Sequence, residues 1–140
     1  MMEPPADTPV TETEIVVRGY ELDSFGHVNH AVFLNYFEHG RFDALRRGGL
    51  SRAEMERRRW GVYVVRVEID YLAEARQDDR LVVRTRAEGF KRTSMVLAQE
   101  MVRPSGEREE VLARARVHAV WVGADRRPMR VPAEVRAALG

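Results

Sequence analysis

At Trp60-Gly61 the hydrophobic pattern of this chain changes. Before that point apolar residues recur about every 3.6 residues, and after it they recur every second residue. From Asn29 to about Arg46 the spacing is helical: Phe33, Phe37, Gly40 and Ala44 fall at i, i+4, i+7 and i+11, with Leu34, Arg41 and Leu45 beside them. Beyond it, Val65, Val67, Ile69 and Tyr71 alternate with Arg66, Glu68 and Asp70. One long helix followed by strands at hairpin spacing has few ways to bury its apolar surface. It predicts an α+β fold with an antiparallel sheet packed around a single helix.

The strands follow in order. Residues 62–72 form the first after the switch, and a turn at Asp78-Asp79 leads to a strand from Leu81 to Glu88. Residues 89–93 turn into a strand from Ser94 to Val102. Pro104-Ser-Gly106 reads as a hairpin turn, and Val111 to Val122 as the last strand, with Val111, Ala113, Ala115, Val117, Ala119 and Trp121 on one face. An earlier strand, residues 13–20, precedes the helix, giving five in all. Residues 1–12, with Pro4, Pro5 and Pro9 among acidic residues, read as a disordered leader before one domain over 13–140. The tail after Pro132 predicts a short helix. Gly48-Gly49 ends the long helix, and Ser51 with Glu54 forms a capping-box pattern for a short helix to about Arg58. Gly40 inside the long helix costs about 1 kcal/mol relative to Ala, which implies close backbone packing there. Glu38 and Arg41 are placed to pair at i, i+3. Five strands leave two edges, and an edge can pair with a second subunit.

Composition removes several function classes. The formal charge is +1 over 140 residues, and no basic, aromatic-rich strand is present, so nothing points to nucleic acid. Cys is absent, which excludes disulfides and thiolate chemistry. No run approaches the roughly 20 apolar residues of a membrane span, and no signal peptide is visible, so the cytoplasm is the expected compartment. There is no Gly-x-Ser-x-Gly, Gly-x-Gly-x-x-Gly or phosphate-loop pattern.

The chemistry concentrates just before the helix. Asp23 lies in a polar turn made tight by Gly26, and Asn29 is placed to cap the helix. A helix N-terminus carries free N–H groups and about half a positive charge, so a carbonyl placed there is polarised. Asp23 beside it could attack such a carbonyl or activate water for the attack. Acyl transfer or hydrolysis is the reaction these parts serve, with Phe33, Tyr36 and Phe37 as candidate walls of an acyl pocket. An Asp followed by a Gly is also an ordinary turn, and the local pattern leaves both readings open. His27 and His30 form His-x-x-His near Asp23, but no further ligands of matching pattern accompany them, so no metal is expected. His39 and His118 read as ordinary helix and strand residues, and Arg57-Arg58-Arg59 with Arg52 as a solvated helix face.

Asp23-Ser-Phe-Gly-His-Val-Asn-His30, followed by Phe33-Leu-Asn-Tyr-Phe-Glu38 and Arg41, resembles the signature of the hot-dog-fold thioesterases, in particular the 4-hydroxybenzoyl-CoA thioesterase-like acyl-CoA thioesterases. Tyr71-Leu-Ala-Glu-Ala75 before Asp79-Arg-Leu-Val-Val83 is similar to the same family, and the resemblance covers roughly residues 13–122. It implies a hot-dog fold, a five-stranded antiparallel sheet wrapped around one long helix. It also implies homodimers or homotetramers with sites at the dimer interface, and hydrolysis of an acyl-CoA without a cofactor. Asp23 would match the catalytic carboxylate, as nucleophile or general base. The backbone N–H of His30 would match the donor to the thioester carbonyl. Asn29 and Phe33 would lie at the substrate. Ser94 matches a position that often carries a small hydroxyl near the site, and Lys91 and Arg92 would contact the CoA phosphates. An acyl-carrier-protein thioester is a second substrate. A non-catalytic acyl-thioester-binding protein and a dehydratase are alternatives on the same fold.

Overall fold

The structure, a computed structural model, describes residues 9–140. Five strands, β1 (Thr11–Val16), β2 (Gly61–Tyr71), β3 (Arg80–Phe90), β4 (Ser94–Ser105) and β5 (Arg108–Val122), form one sheet in the order β1-β3-β4-β5-β2. Every neighbouring pair is antiparallel. The long helix α1 (His30–Arg47) lies across its inner face, and the short helices α2 (Arg52–Arg58) and α3 (Ala133–Leu139) close one end. This is the expected hot-dog plan.

The inward positions alternate as a pleated sheet requires. Leu81, Val83 and Ala87 on β3, Met95, Leu97 and Met101 on β4, and Ala113, Ala115, Val117, Ala119 and Trp121 on β5 are all buried. They meet Phe33, Tyr36, Phe37, Gly40, Ala44 and Leu45 of α1. The small residues, alanines of β5 and Gly40 of α1, let the helix backbone sit close to the side chains of the sheet. A Cβ at Gly40 would stand 2.7 Å from Val83 Cγ1 and 3.1 Å from Thr85 Oγ1, so the close packing inferred from the sequence is present.

Several boundaries differ from the expectation. β1 begins at Thr11 and ends at Val16, so residues 11 and 12 belong to the sheet; residues 1–8 of the expected leader lie outside the described residues. Gly19 and Tyr20, read as the end of the strand, form with Glu21 a 3-10 turn that departs from the sheet toward α1. On β5 the register shifts opposite Met101/Val102, so Leu112 is buried where Val111 was expected. The β2 strand was expected to be half buried. It is an edge strand instead, and Tyr63, Val64, Val65 and Val67 are exposed along it.

The short helices form as read, with one change. Ser51 Oγ accepts from Glu54 N at 3.1 Å, but the Glu54 carboxylate turns to Arg57 and Arg58 and does not return to Ser51. Arg58 is not a freely solvated charge. It pairs with Glu54 and Glu134 and lies over the Trp60 ring at 4.8 Å, joining α2 to α3.

Candidate active site

The loop before α1 is built on Asp23. Leu22 and Val28 bridge as a minimal ladder, Asp23 N donates to His27 O at 2.7 Å, and Gly26 N donates to Asp23 O at 3.1 Å. Gly26 has φ +81°, the left-handed geometry this turn needs and a side chain resists. Asp23 Oδ1 accepts from the N–H of Phe25 at 2.9 Å and of His27 at 3.2 Å. One carboxylate oxygen therefore fixes the turn. Oδ2 has no hydrogen-bond partner among the described residues, and the side chain is exposed.

The loop's exit is pinned by Val28 N to Ala75 O at 2.8 Å and Asn29 N to Glu21 O at 3.0 Å. Asn29 Oδ1 then caps α1, accepting from Ala31 N at 2.9 Å, while Val32 N reaches Asn29 O. The N–H of His30, the first helical residue, has no acceptor among the described residues. One turn of chain thus presents a carboxylate oxygen and an open helix-start N–H. Such a donor can contribute about 2.7–4 kcal/mol when oxyanion charge develops on it.

Neighbouring side chains fix this arrangement. The Tyr71 hydroxyl, at the end of β2, donates to His30 O at 3.0 Å, and its ring stands edge-on to His30 and tilted against Phe33. Burial pushes the Tyr71 hydroxyl above its ordinary pKa, which keeps it a donor. Tyr36 donates to Glu21 Oε1 at 2.8 Å, and burial followed by that carboxylate pushes its pKa far up as well. The His27 ring turns to Glu74, with Nε2 2.7 Å from Oε2. The His30 ring is exposed, and Phe33, Tyr36 and Phe37 are buried in the core of the single chain.

The remaining predicted residues lie elsewhere. Lys91 and Arg92 are exposed in the β3–β4 turn, and Ser94 opens β4 opposite Val120. The Asp23 loop packs at the other end of β3, near Asp79 and Ala75. With ten residue steps between Arg80 and Phe90, the two ends are about 33 Å apart. One chain does not bring Asp23 and the residues at 91–94 together.

One polar group near α1 was misread from the sequence. Arg41 makes no ion pair with Glu38. Its Nη1 donates to Gln99 Oε1 at 3.0 Å, and Gln99 Nε2 donates to Phe37 O at 2.8 Å and Thr85 Oγ1 at 2.9 Å. Burial, opposed by the Glu38 charge, lowers the Arg41 pKa. The inward period of β4 puts Gln99 among buried positions, and that was the available signal.

Residues 17–139 match the thioesterase-like superfamily. The chain belongs to the hot-dog thioesterases. It is 36% identical to a chloroplastic acyl-acyl carrier protein thioesterase of Arabidopsis thaliana, over 92% of this chain and 68% of that protein. It is 32% identical to the long-chain acyl-CoA thioesterase FadM of Escherichia coli, over 69% of this chain and 73% of that one. Its fold matches a 1,4-dihydroxy-2-naphthoyl-CoA thioesterase from Synechocystis with a TM-score of 0.83 at 22% identity, covering 94% of this chain and 96% of that chain. Among the described residues no helix is long and apolar enough to cross a membrane.

Proposed function

We propose that this thioesterase hydrolyses an acyl-CoA in the cytoplasm to the free acid and CoA. The observation that carries the reading is the pairing of Asp23 Oδ2, free of hydrogen bonds, with the open His30 N–H in one rigid turn. The thioester carbonyl oxygen accepts from His30 N–H, and the α1 dipole favours the charge that builds on it. Asp23 either takes a proton from the attacking water, so that the tetrahedral intermediate collapses directly to the acid, or attacks the carbonyl carbon itself, so that collapse leaves an acyl–Asp23 anhydride which water then hydrolyses to the acid and the free carboxylate. On both routes the CoA thiolate leaves and is protonated.

The functional unit in this reading is a homodimer, which can pair further into a homotetramer. The β2 edge is eleven residues long, leaves backbone groups unpaired at alternate positions, and exposes Tyr63, Val65 and Val67. Antiparallel pairing of two β2 edges about a two-fold axis reverses the ends of the partner sheet. The partner's β3–β4 turn then stands at the end where this chain carries Asp23, so Lys91 and Arg92 can meet CoA phosphates and Ser94 the bound thioester. Asn29 holds the helix start, and Phe33 backs it.

Thiol release from a panel of acyl-CoAs tests the reading. The wild type is expected to turn over, and Asp23→Ala to lose most of the activity. Full activity in Asp23→Ala overturns the assignment. An acyl-acyl carrier protein substrate is the second reading, favoured by the Arabidopsis relative, and the same acyl chain on CoA and on the carrier protein decides between them.

A further inference from the structure

On α1, His30, Leu34, Glu38, Arg41 and Leu45 follow at spacings of three or four residues and so share one stripe of the helix. Leu34, one turn beyond His30, is exposed and apolar. Past it the stripe opens into a small groove of about 60 Å³ between α1 and the sheet, whose walls include Leu45, Val62, Val64 and Leu97. Two charged residues interrupt these apolar walls, Glu38 and Arg41. Neither has an ion-pair partner among the described residues. Gln99 Oε1 is the one hydrogen-bond acceptor of Arg41 there. The Gln99 amide is oriented by its own bonds to Phe37 O and Thr85 Oγ1, so it fixes the guanidinium in place. The other guanidinium N–H groups are left for whatever enters the groove.

A fixed donor and a carboxylate acceptor at one groove suit a hydroxyl, which accepts from the first and donates to the second. A carboxylate would be repelled by Glu38, and a methyl end would desolvate the guanidinium N–H groups that Gln99 does not engage without giving them an acceptor. Arg41 lies eleven residues beyond His30, about 16 Å along the helix. A short acyl group or a single ring attached at the helix start falls short of it. We propose that the groove is the far end of the acyl site and selects a flexible acyl chain carrying a hydroxyl at its distal end, with Arg41 donating to that hydroxyl and Glu38 accepting from it. The proposal rests on the thioesterase reading given above.

The test compares kcat/KM for medium-chain acyl-CoAs of equal length with and without a terminal hydroxyl. The wild type is expected to favour the hydroxylated member on the order of tenfold, the scale of one hydrogen bond to a charged group. Arg41→Met and Glu38→Gln are each expected to bring that ratio toward one. The ratio within one variant does not depend on how much of it folds, and Glu38 is exposed, so its variant guards against a folding defect at Arg41. Equal turnover of both members by the wild type overturns this proposal and leaves the thioesterase reading standing. Absence of thiol release from every member overturns both. A preference that survives either substitution removes the paired roles of Arg41 and Glu38. Loss of the dimer in both variants, with no wild-type preference, assigns the groove to the partner subunit instead.

Discussion

Asp23 uses one oxygen to hold its own turn, and the other has no hydrogen bond among the described residues, which is what the proposed chemistry needs. Asp23→Asn keeps the oxygen that accepts from Phe25 and His27, so the turn survives while the base is lost. The expected result is a fall in kcat of roughly 10²–10⁴-fold, with KM little changed. At Gly40 the constraint is steric. Gly40→Ala forces Val83 or the helix to move, and thermal unfolding is expected to show a loss of about 1–3 kcal/mol. The Asp23 turn and the Asn29 cap were legible in the sequence, because each depends on residues within a few positions; at Gly40 a glycine inside a helix gave away a close approach whose partners, Val83 and Thr85, lie far along the chain. Arg41 was not. Helical spacing offered Glu38 as its partner, whereas the actual acceptor, Gln99, is 58 positions away on β4. The separation only disappears once the sheet has formed.

The elements themselves were plain from the change in period, since alternation and helical spacing are read within a single segment. Their ends and faces were less so. Register shifts such as that between Met101 and Val102 arise from pairing two strands, and neither strand alone announces them. The clasp between α2 and α3 likewise needs both elements. Within it, hydrogen bonds from Arg57 and then Arg58 hold the Glu54 carboxyl at a pKa of about 2. A carboxyl whose folded pKa is depressed stabilises the fold above its ordinary value, near 4.3, and that contribution is lost as the pH falls toward 2. Glu54 is only half-buried and its partners reach water, so the effect is a modest one. The wild type is therefore expected to melt above Glu54→Gln at pH 6, with the gap narrowing as the pH is taken from 5 to 2.5.

For the whole molecule, an edge strand that is apolar and exposed in one chain is the feature that a single sequence shows least well. Alternation in β2 read as half burial, and the single chain leaves that surface open. The separation of Asp23 from Lys91, Arg92 and Ser94 by the length of β3 has the same explanation if two chains complete each site. Sedimentation is expected to show a dimer or tetramer, and Val65→Lys on the β2 edge is expected to shift it toward monomer and reduce activity with it. A fully active monomer would contradict a shared site. The most direct test of the account is thiol release from acyl-CoA by the wild type and by Asp23→Asn, measured side by side. The account predicts turnover by the wild type and a loss of at least about a hundredfold in the variant; turnover by both at the same rate, or by neither, would contradict it.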